Sequence, residues 1–124
     1  MKSVLVVDDN QLNLTLAVEM LSRAGYKVHS VDGAQYALDL LAGLRVDVVL
    51  TDISMPGMSG KELARQLRER YKIKCPRLVA YTAFALPHQR QSIVDAGFDA
   101  IVVKPARSTD LVSAVEGDDL PETD

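Results

Sequence analysis

The chain has 124 residues, 48% of them hydrophobic and 25% charged, with a formal net charge of −3 and a pI near 5.3. That is one domain with enough apolar mass for a core, and its mixed, mildly acidic charge speaks against recruiting nucleic acid through clustered Lys and Arg. A single cysteine, Cys75, excludes an internal disulfide and a cysteine metal cluster, and no apolar run reaches the length of a signal-peptide core or a membrane span, so a cytoplasmic protein is expected.

Short β-branched runs alternate with helical patterns along the chain. Ser3 to Val7 reads as a strand that stops at Asp8 and Asp9. Leu12 to Ala24 repeats apolar residues at Leu14, Ala17, Val18 and Leu21, a helical stripe closed by Gly25. Lys27 to Val31 is a more polar strand, expected at the sheet edge, and Gly33 to Ala42 is a helix with Ala37, Leu38 and Leu41 inward. Val48, Val49 and Leu50 lack polar alternation, which fits a central parallel strand covered on both faces; it ends at Asp52. Ligands bind beyond such strand ends. Met55-Pro56-Gly57-Met58-Ser59-Gly60 then forms a loop of set path rather than a hairpin, and Gly60 to Tyr71 is an amphipathic helix with Leu63, Ala64 and Leu67 buried. Arg77 to Tyr81 is the fourth strand, ending at Thr82, and Pro87 opens a helix that runs to Ala96. Ala100 to Val103 is the fifth strand, ending at Lys104-Pro105, and Ser108 or Thr109 is the expected N-cap of a last helix through Val115. Five βα units in succession predict a flavodoxin-like, doubly wound α/β fold with a parallel sheet of order 2-1-3-4-5. The predicted domain spans residues 1–116, and residues 117–124 read as an acidic tail or linker.

The chemistry lies in the strand ends. In that strand order the first and third strands are neighbours about 4.8 Å apart, so Asp8, Asp9 and Asp52 meet at one edge. Two carboxylates about 5 Å apart repel by roughly 3 kcal/mol at an effective dielectric near 20, so three require a counter-charge. With no soft ligand nearby, Mg²⁺ is the ion that such oxygen donors favour. Lys104 has the length to reach a charged group above the third strand. Taken singly, each residue has a plain structural reading: Asp8 or Asp9 as a helix cap, Thr82 as a cap, Lys104 as a solvated charge, and Met55 and Met58 as loop packing. Cys75 reads as a small apolar residue, and His29 and His88 lack partners at metal spacing. The coincidence of an acidic pair, an acid, a hydroxyl and a cation on four gathered strand ends favours a site.

Val4-Leu5-Val6-Val7-Asp8-Asp9-Asn10, Thr51-Asp52-Ile53-Ser54-Met55-Pro56-Gly57-Met58-Ser59-Gly60, Tyr81-Thr82-Ala83 and Val103-Lys104-Pro105 together resemble the receiver domains of two-component response regulators, from Val4 to about Val115. The resemblance implies that Asp52 is the phosphoacceptor, attacking a phosphohistidine of a sensor histidine kinase or histidine phosphotransfer protein. It implies Mg²⁺ bound directly by Asp9, Asp52 and the backbone carbonyl of Ser54, with Asp8 acting through water. Lys104 and Thr82 would meet the phosphoryl oxygens, the Lys104–Pro105 bond would be cis, and Thr82 would be drawn inward as the surface of the fourth helix, fifth strand and fifth helix changes to regulate a downstream protein. Self-catalysed phosphotransfer and dephosphorylation are the only enzyme activities implied, unless the chain is part of a hybrid sensor histidine kinase acting in a phosphorelay. Asp8-Asp9-Asn10 with Asn13 leans towards that alternative, and the length leaves no room for an effector domain.

Two positions depart from the family pattern. Ile101 stands where receivers usually carry an aromatic residue, three before the lysine, with Tyr81 or Phe84 as candidate substitutes. Phe84 itself, two beyond Thr82, is expected to shield the phosphoryl group and slow its hydrolysis. Rival classes fit less well. A flavodoxin relative would need a phosphate cradle where Asp8-Asp9 stands, an aspartate-dependent phosphatase would need an acid in place of Ser54, and a purely structural domain would not need the acidic cluster.

Overall fold

A computed structural model describes residues 2–83 and 86–117. The elements are β1 (Ser3–Val7), α1 (Gln11–Arg23), β2 (Lys27–Val31), α2 (Ala34–Leu41), β3 (Val48–Thr51), α3 (Gly60–Tyr71), a 3₁₀ turn (Lys72–Lys74), β4 (Arg77–Thr82), α4 (Pro87–Asp95), β5 (Ala100–Val103) and α5 (Ser108–Glu116). The sheet has order β2-β1-β3-β4-β5 with every neighbouring pair parallel, as the alternation of elements predicts. β3 lies at its centre and all four of its residues are buried, which accounts for its unbroken apolar run. β2, at the edge, pairs only with β1 and is partly exposed, which accounts for its polar residues.

Side-chain alternation along each strand divides the core into two layers. Leu5, Val7, Val49, Leu78 and Ala80 face α2, α3 and α4, whereas Val4, Val6, Leu50, Val79, Tyr81 and Val102 face α1 and α5. Leu63 and Leu67 of α3 are fully buried in the first layer and Leu21 of α1 in the second. Each such burial contributes about 1.5–3 kcal/mol, so the helices are held by packing more than by their own propensity.

Local signals set the helix ends. The Asn10 side chain accepts from the Asn13 N–H at 3.0 Å and caps α1, and Ser59 accepts from the Glu62 N–H at 3.1 Å and caps α3. Beyond α1, Gly25 takes a φ of +99°, the left-handed conformation that glycine adopts without strain. At α5 the expectation needs correction: neither Ser108 nor Thr109 is the cap, because both lie inside the helix and Arg107 holds the N-cap position. Asp110, in the first turn, accepts from the Arg107 N–H at 3.2 Å, the reach-back half of a capping box. Residues 118–124 of the predicted tail, and Phe84, lie outside the described residues.

Candidate functional site

β1 and β3 deliver their carboxylates to the same end of the sheet because Val7 pairs with Thr51, and the Asp52 N–H donates to the Val7 carbonyl at 2.9 Å just beyond the last pair. Carboxylate oxygens of Asp8, Asp9 and Asp52 consequently lie within 4.8 Å of one another. Their surroundings differ. Asp8 is 1% exposed, with Oδ1 accepting from the Asn10 N–H at 2.9 Å and Oδ2 accepting from Lys104 Nζ at 2.8 Å. Asp9 is exposed. Asp52 is half-buried, and its Oδ1 accepts from the Ile53 N–H at 2.8 Å.

Lys104 arrives from the end of β5. Its backbone N–H donates to the Thr82 carbonyl at 2.9 Å, its bond to Pro105 is cis as the family pattern implies, and its ammonium stands 2.8 Å from Asp8 Oδ2 and 3.6 Å from Asp52 Oδ1. The same ammonium lies 4.9 Å from the centroid of the Tyr81 ring, within cation–π range. Burial holds the Asp52 carboxyl above the usual carboxylate range; Asp8 and Asp9 push the same way, against Lys104 and the Ile53 N–H. Asp52 is thus a carboxylate that gains from any added positive charge.

Thr82 is 1% exposed at the end of β4 and Ser54 is exposed on the loop after β3. Met55 is buried in the core and Met58 packs against it, which supports the packing reading of both. His88 is exposed and His29 partly buried. Cys75 is partly buried, and burial raises its thiol pKa, which leaves it a poor nucleophile. Tyr81 does not stand in for an aromatic residue at position 101. It faces the α1–α5 layer, whereas Ile101, paired with Ala80 on β4, packs against the opposite one.

Three features of the site lie outside the predicted set. The Tyr81 ring under Lys104 was accessible from strand alternation, since Tyr81 shares a face with Val79 and Val102. The Thr51 hydroxyl donates to the Asp52 carbonyl at 2.9 Å. At Gly60 an added Cβ would fall 2.1 Å from that same carbonyl oxygen, so glycine is required there by contact and not by turn geometry.

A parallel sheet whose strand ends gather three acids and a lysine defines a class of α/β protein with a polar site built for charged ligands. Residues 4–116 match the response regulator receiver domain family, and the chain belongs to that family. It is 34% identical over 104 residues to the polar-differentiation response regulator DivK of Brucella anthropi, covering 84% of this chain and 85% of that protein. It is also 34% identical over 116 residues to the sensor protein GacS of Pseudomonas syringae, covering 90% of this chain and 13% of GacS. Among solved structures it resembles the receiver domain of sensor histidine kinase PA1611 from Pseudomonas aeruginosa, described with a magnesium ion coordinated in its active-site cleft. That match has a TM-score of 0.85 and 28% identity, and covers 94% of this chain and 95% of that one. The Asp8, Asp9 and Asp52 cluster is therefore the acidic site of a receiver domain in two-component signalling, and its all-oxygen donor set suits Mg²⁺. Among the described residues no helix is long and apolar enough to cross a membrane.

Proposed function

We propose that Asp52 accepts a phosphoryl group from a phosphohistidine of a sensor histidine kinase or histidine phosphotransfer protein, in a Mg²⁺-dependent reaction at the cytoplasmic side of a two-component pathway. The observation that carries this reading is the division of labour among the carboxylates. Both Asp8 oxygens already hold donors, Asn10 N–H and Lys104 Nζ, which suits Asp8 to act through water. Asp9 is exposed and Asp52 has only Oδ1 held by the backbone, which suits these two, with the Ser54 carbonyl, to hold the ion directly. Bound Mg²⁺ supplies the positive charge that offsets the transferring group. In the transfer, Asp52 forms the new O–P bond, the N–P bond of the phosphohistidine breaks, and the imidazole nitrogen keeps the electron pair. Lys104, already 3.6 Å from Asp52 Oδ1, is placed to pair with a phosphoryl oxygen. Thr82 would hydrogen-bond another, and being buried already it needs a shift of its hydroxyl, not a swing from solvent.

The acyl phosphate then reshapes the surface of α4, β5 and α5 and regulates a downstream protein, with no direct nucleic-acid contact. Ile101 in place of a ring means that this coupling runs without an aromatic rotor at that site. A second reading, a receiver excised from a hybrid sensor kinase acting in a phosphorelay, is supported by the match to 13% of GacS. Incubation with acetyl phosphate and Mg²⁺ followed by intact-mass measurement tests the phosphoacceptor. The wild-type chain is expected to gain one phosphoryl group and Asp52→Asn none; modification of both, or of neither, refutes the assignment.

A further inference from the structure

We propose that Thr51 is a positioning residue for Asp52, its buried hydroxyl fixing the peptide unit that orients the reacting carboxylate. This rests on the reading of Asp52 as phosphoacceptor and extends it to a residue that touches neither metal nor phosphate.

Thr51 occupies a row of the sheet with Val7 and Ala80, on the face that packs against α2, α3 and α4. Its neighbours in that row are apolar, and valine would fill the same volume without a polar atom to satisfy. Thr51 is nevertheless 1% exposed, and its Oγ1–H donates to the Asp52 carbonyl at 2.9 Å. That carbonyl and the Ile53 N–H belong to one planar peptide unit, so fixing one end fixes the other. The far end donates to Asp52 Oδ1 at 2.8 Å. α3 presses on the same unit: Gly60 lies so close that a Cβ would meet the Asp52 oxygen at 2.1 Å, and the Gly60 N–H donates to the Ile53 carbonyl at 2.9 Å. Thr51 therefore bonds the oxygen that the Gly60 backbone crowds, and the rigid plane delivers the Ile53 N–H to Oδ1. With Oδ1 held by the Ile53 N–H and approached by Lys104, the plane of the carboxylate, and so the direction in which it faces its ligands, is fixed.

The geometry makes a graded forecast. Thr51→Val keeps shape and removes the donor; Thr51→Ser keeps the donor. In the metal-free full chain, the Ile53 amide proton of Thr51→Val is expected to move upfield as its bond to Oδ1 lengthens, and to return in Thr51→Ser. With acetyl phosphate and saturating Mg²⁺, Thr51→Val is expected to lose about 10- to 100-fold in maximal phosphorylation rate at unchanged KM, the scale of a misplacement of roughly 1 Å, with serine restoring most of it. Thr51→Cys, close in volume and a weak donor, replaces valine should that variant fail to fold, and is expected to fall between serine and valine. A wild-type rate and an unmoved Ile53 amide in the valine or cysteine variant overturn the proposal. Loss of phosphorylation in the wild-type chain itself would overturn the phosphoacceptor reading instead, while the Ile53 amide would still report on Thr51.

Discussion

Replacing Asp52 by asparagine is expected to stabilise the metal-free protein, although it removes a group with an ion-pair partner. At an effective dielectric near 20, Lys104 at 3.6 Å attracts the Asp52 carboxylate by about 4.6 kcal/mol, and Asp8 within 4.8 Å repels it by at least about 3.5 kcal/mol. Asp9 adds a further repulsion, screened because that residue is exposed. The pairwise terms therefore nearly cancel, and desolvation, the largest cause of the raised Asp52 pKa, decides the sign. The asparagine variant should gain on the order of 1 kcal/mol at pH 8 in EDTA, or roughly 3–6 °C in Tm. The pH dependence follows from linkage. A carboxyl whose folded pKa is raised holds its proton more tightly folded than unfolded, so its contribution to stability is lost as pH rises from the unfolded value through the folded one. The gap between variant and wild type should accordingly open above the raised pKa and close below the unfolded one. Mg²⁺ at a hundredfold its Kd should stabilise the wild type by about 2.7 kcal/mol and the variant by much less. Differential scanning fluorimetry across pH, with and without Mg²⁺, reads all of this; a wild type as stable as Asp52→Asn at pH 8 in EDTA would refute the account of the site.

Lys104→Met should cost about 3–5 kcal/mol in metal-free protein, because it leaves the buried Asp8 carboxylate without its cation; a urea-denaturation loss under about 1 kcal/mol would show that Asp8 is solvated after all. Gly60→Ala should cost about 3 kcal/mol or more, since its methyl would overlap the Asp52 carbonyl, and the same titration reads it. Arg68→Ala should cost about 1–3 kcal/mol by removing the donors to the Gly97 carbonyl at 2.9 and 2.6 Å and the pair with Asp99 at 2.7 Å, yet leave the initial rate of phosphorylation within about twofold, because the clamp sits before β5 and the site after it.

Elements whose sequence pattern reflects burial on both faces were the most legible. β3 and β2 could be told apart as centre and edge because two-sided burial removes polar residues and an open edge admits them. Strand order alone then brings Asp8, Asp9 and Asp52 to one edge, where they lie. Contacts set by how a helix docks on the sheet were not legible. The closeness of Gly60 to the Asp52 carbonyl depends on where α3 docks, and a glycine in a Pro-Gly-rich loop looks like a turn residue whatever its neighbours. The start of α5 was misplaced for a local reason: Ser108 and Thr109 are both good caps by type, and the Asp110 carboxylate bonding back to the Arg107 N–H lets the helix begin one residue earlier. Nor could adjacent Asp8 and Asp9 be ranked by exposure from their identity, because the turn after β1 buries one and leaves the other in solvent.

Lys104 ties these observations together. It answers two carboxylates and covers one aromatic ring, and no other described cation is paired with Asp8 or Asp52. Its closer partner is Asp8, at 2.8 Å, and not the proposed phosphoacceptor at 3.6 Å. Pairing with a phosphoryl group on Asp52 therefore requires the ammonium to give up part of its hold on Asp8, a buried carboxylate that cannot be left uncompensated. A cation held by Asp9 and Asp52, with Asp8 reaching it through water, would remove that obstacle by offsetting the charge that Lys104 releases. On the proposed mechanism a metal ion would be needed for the lysine as much as for the acids: without one, the group best placed to neutralise an acyl phosphate is already committed to its neighbour.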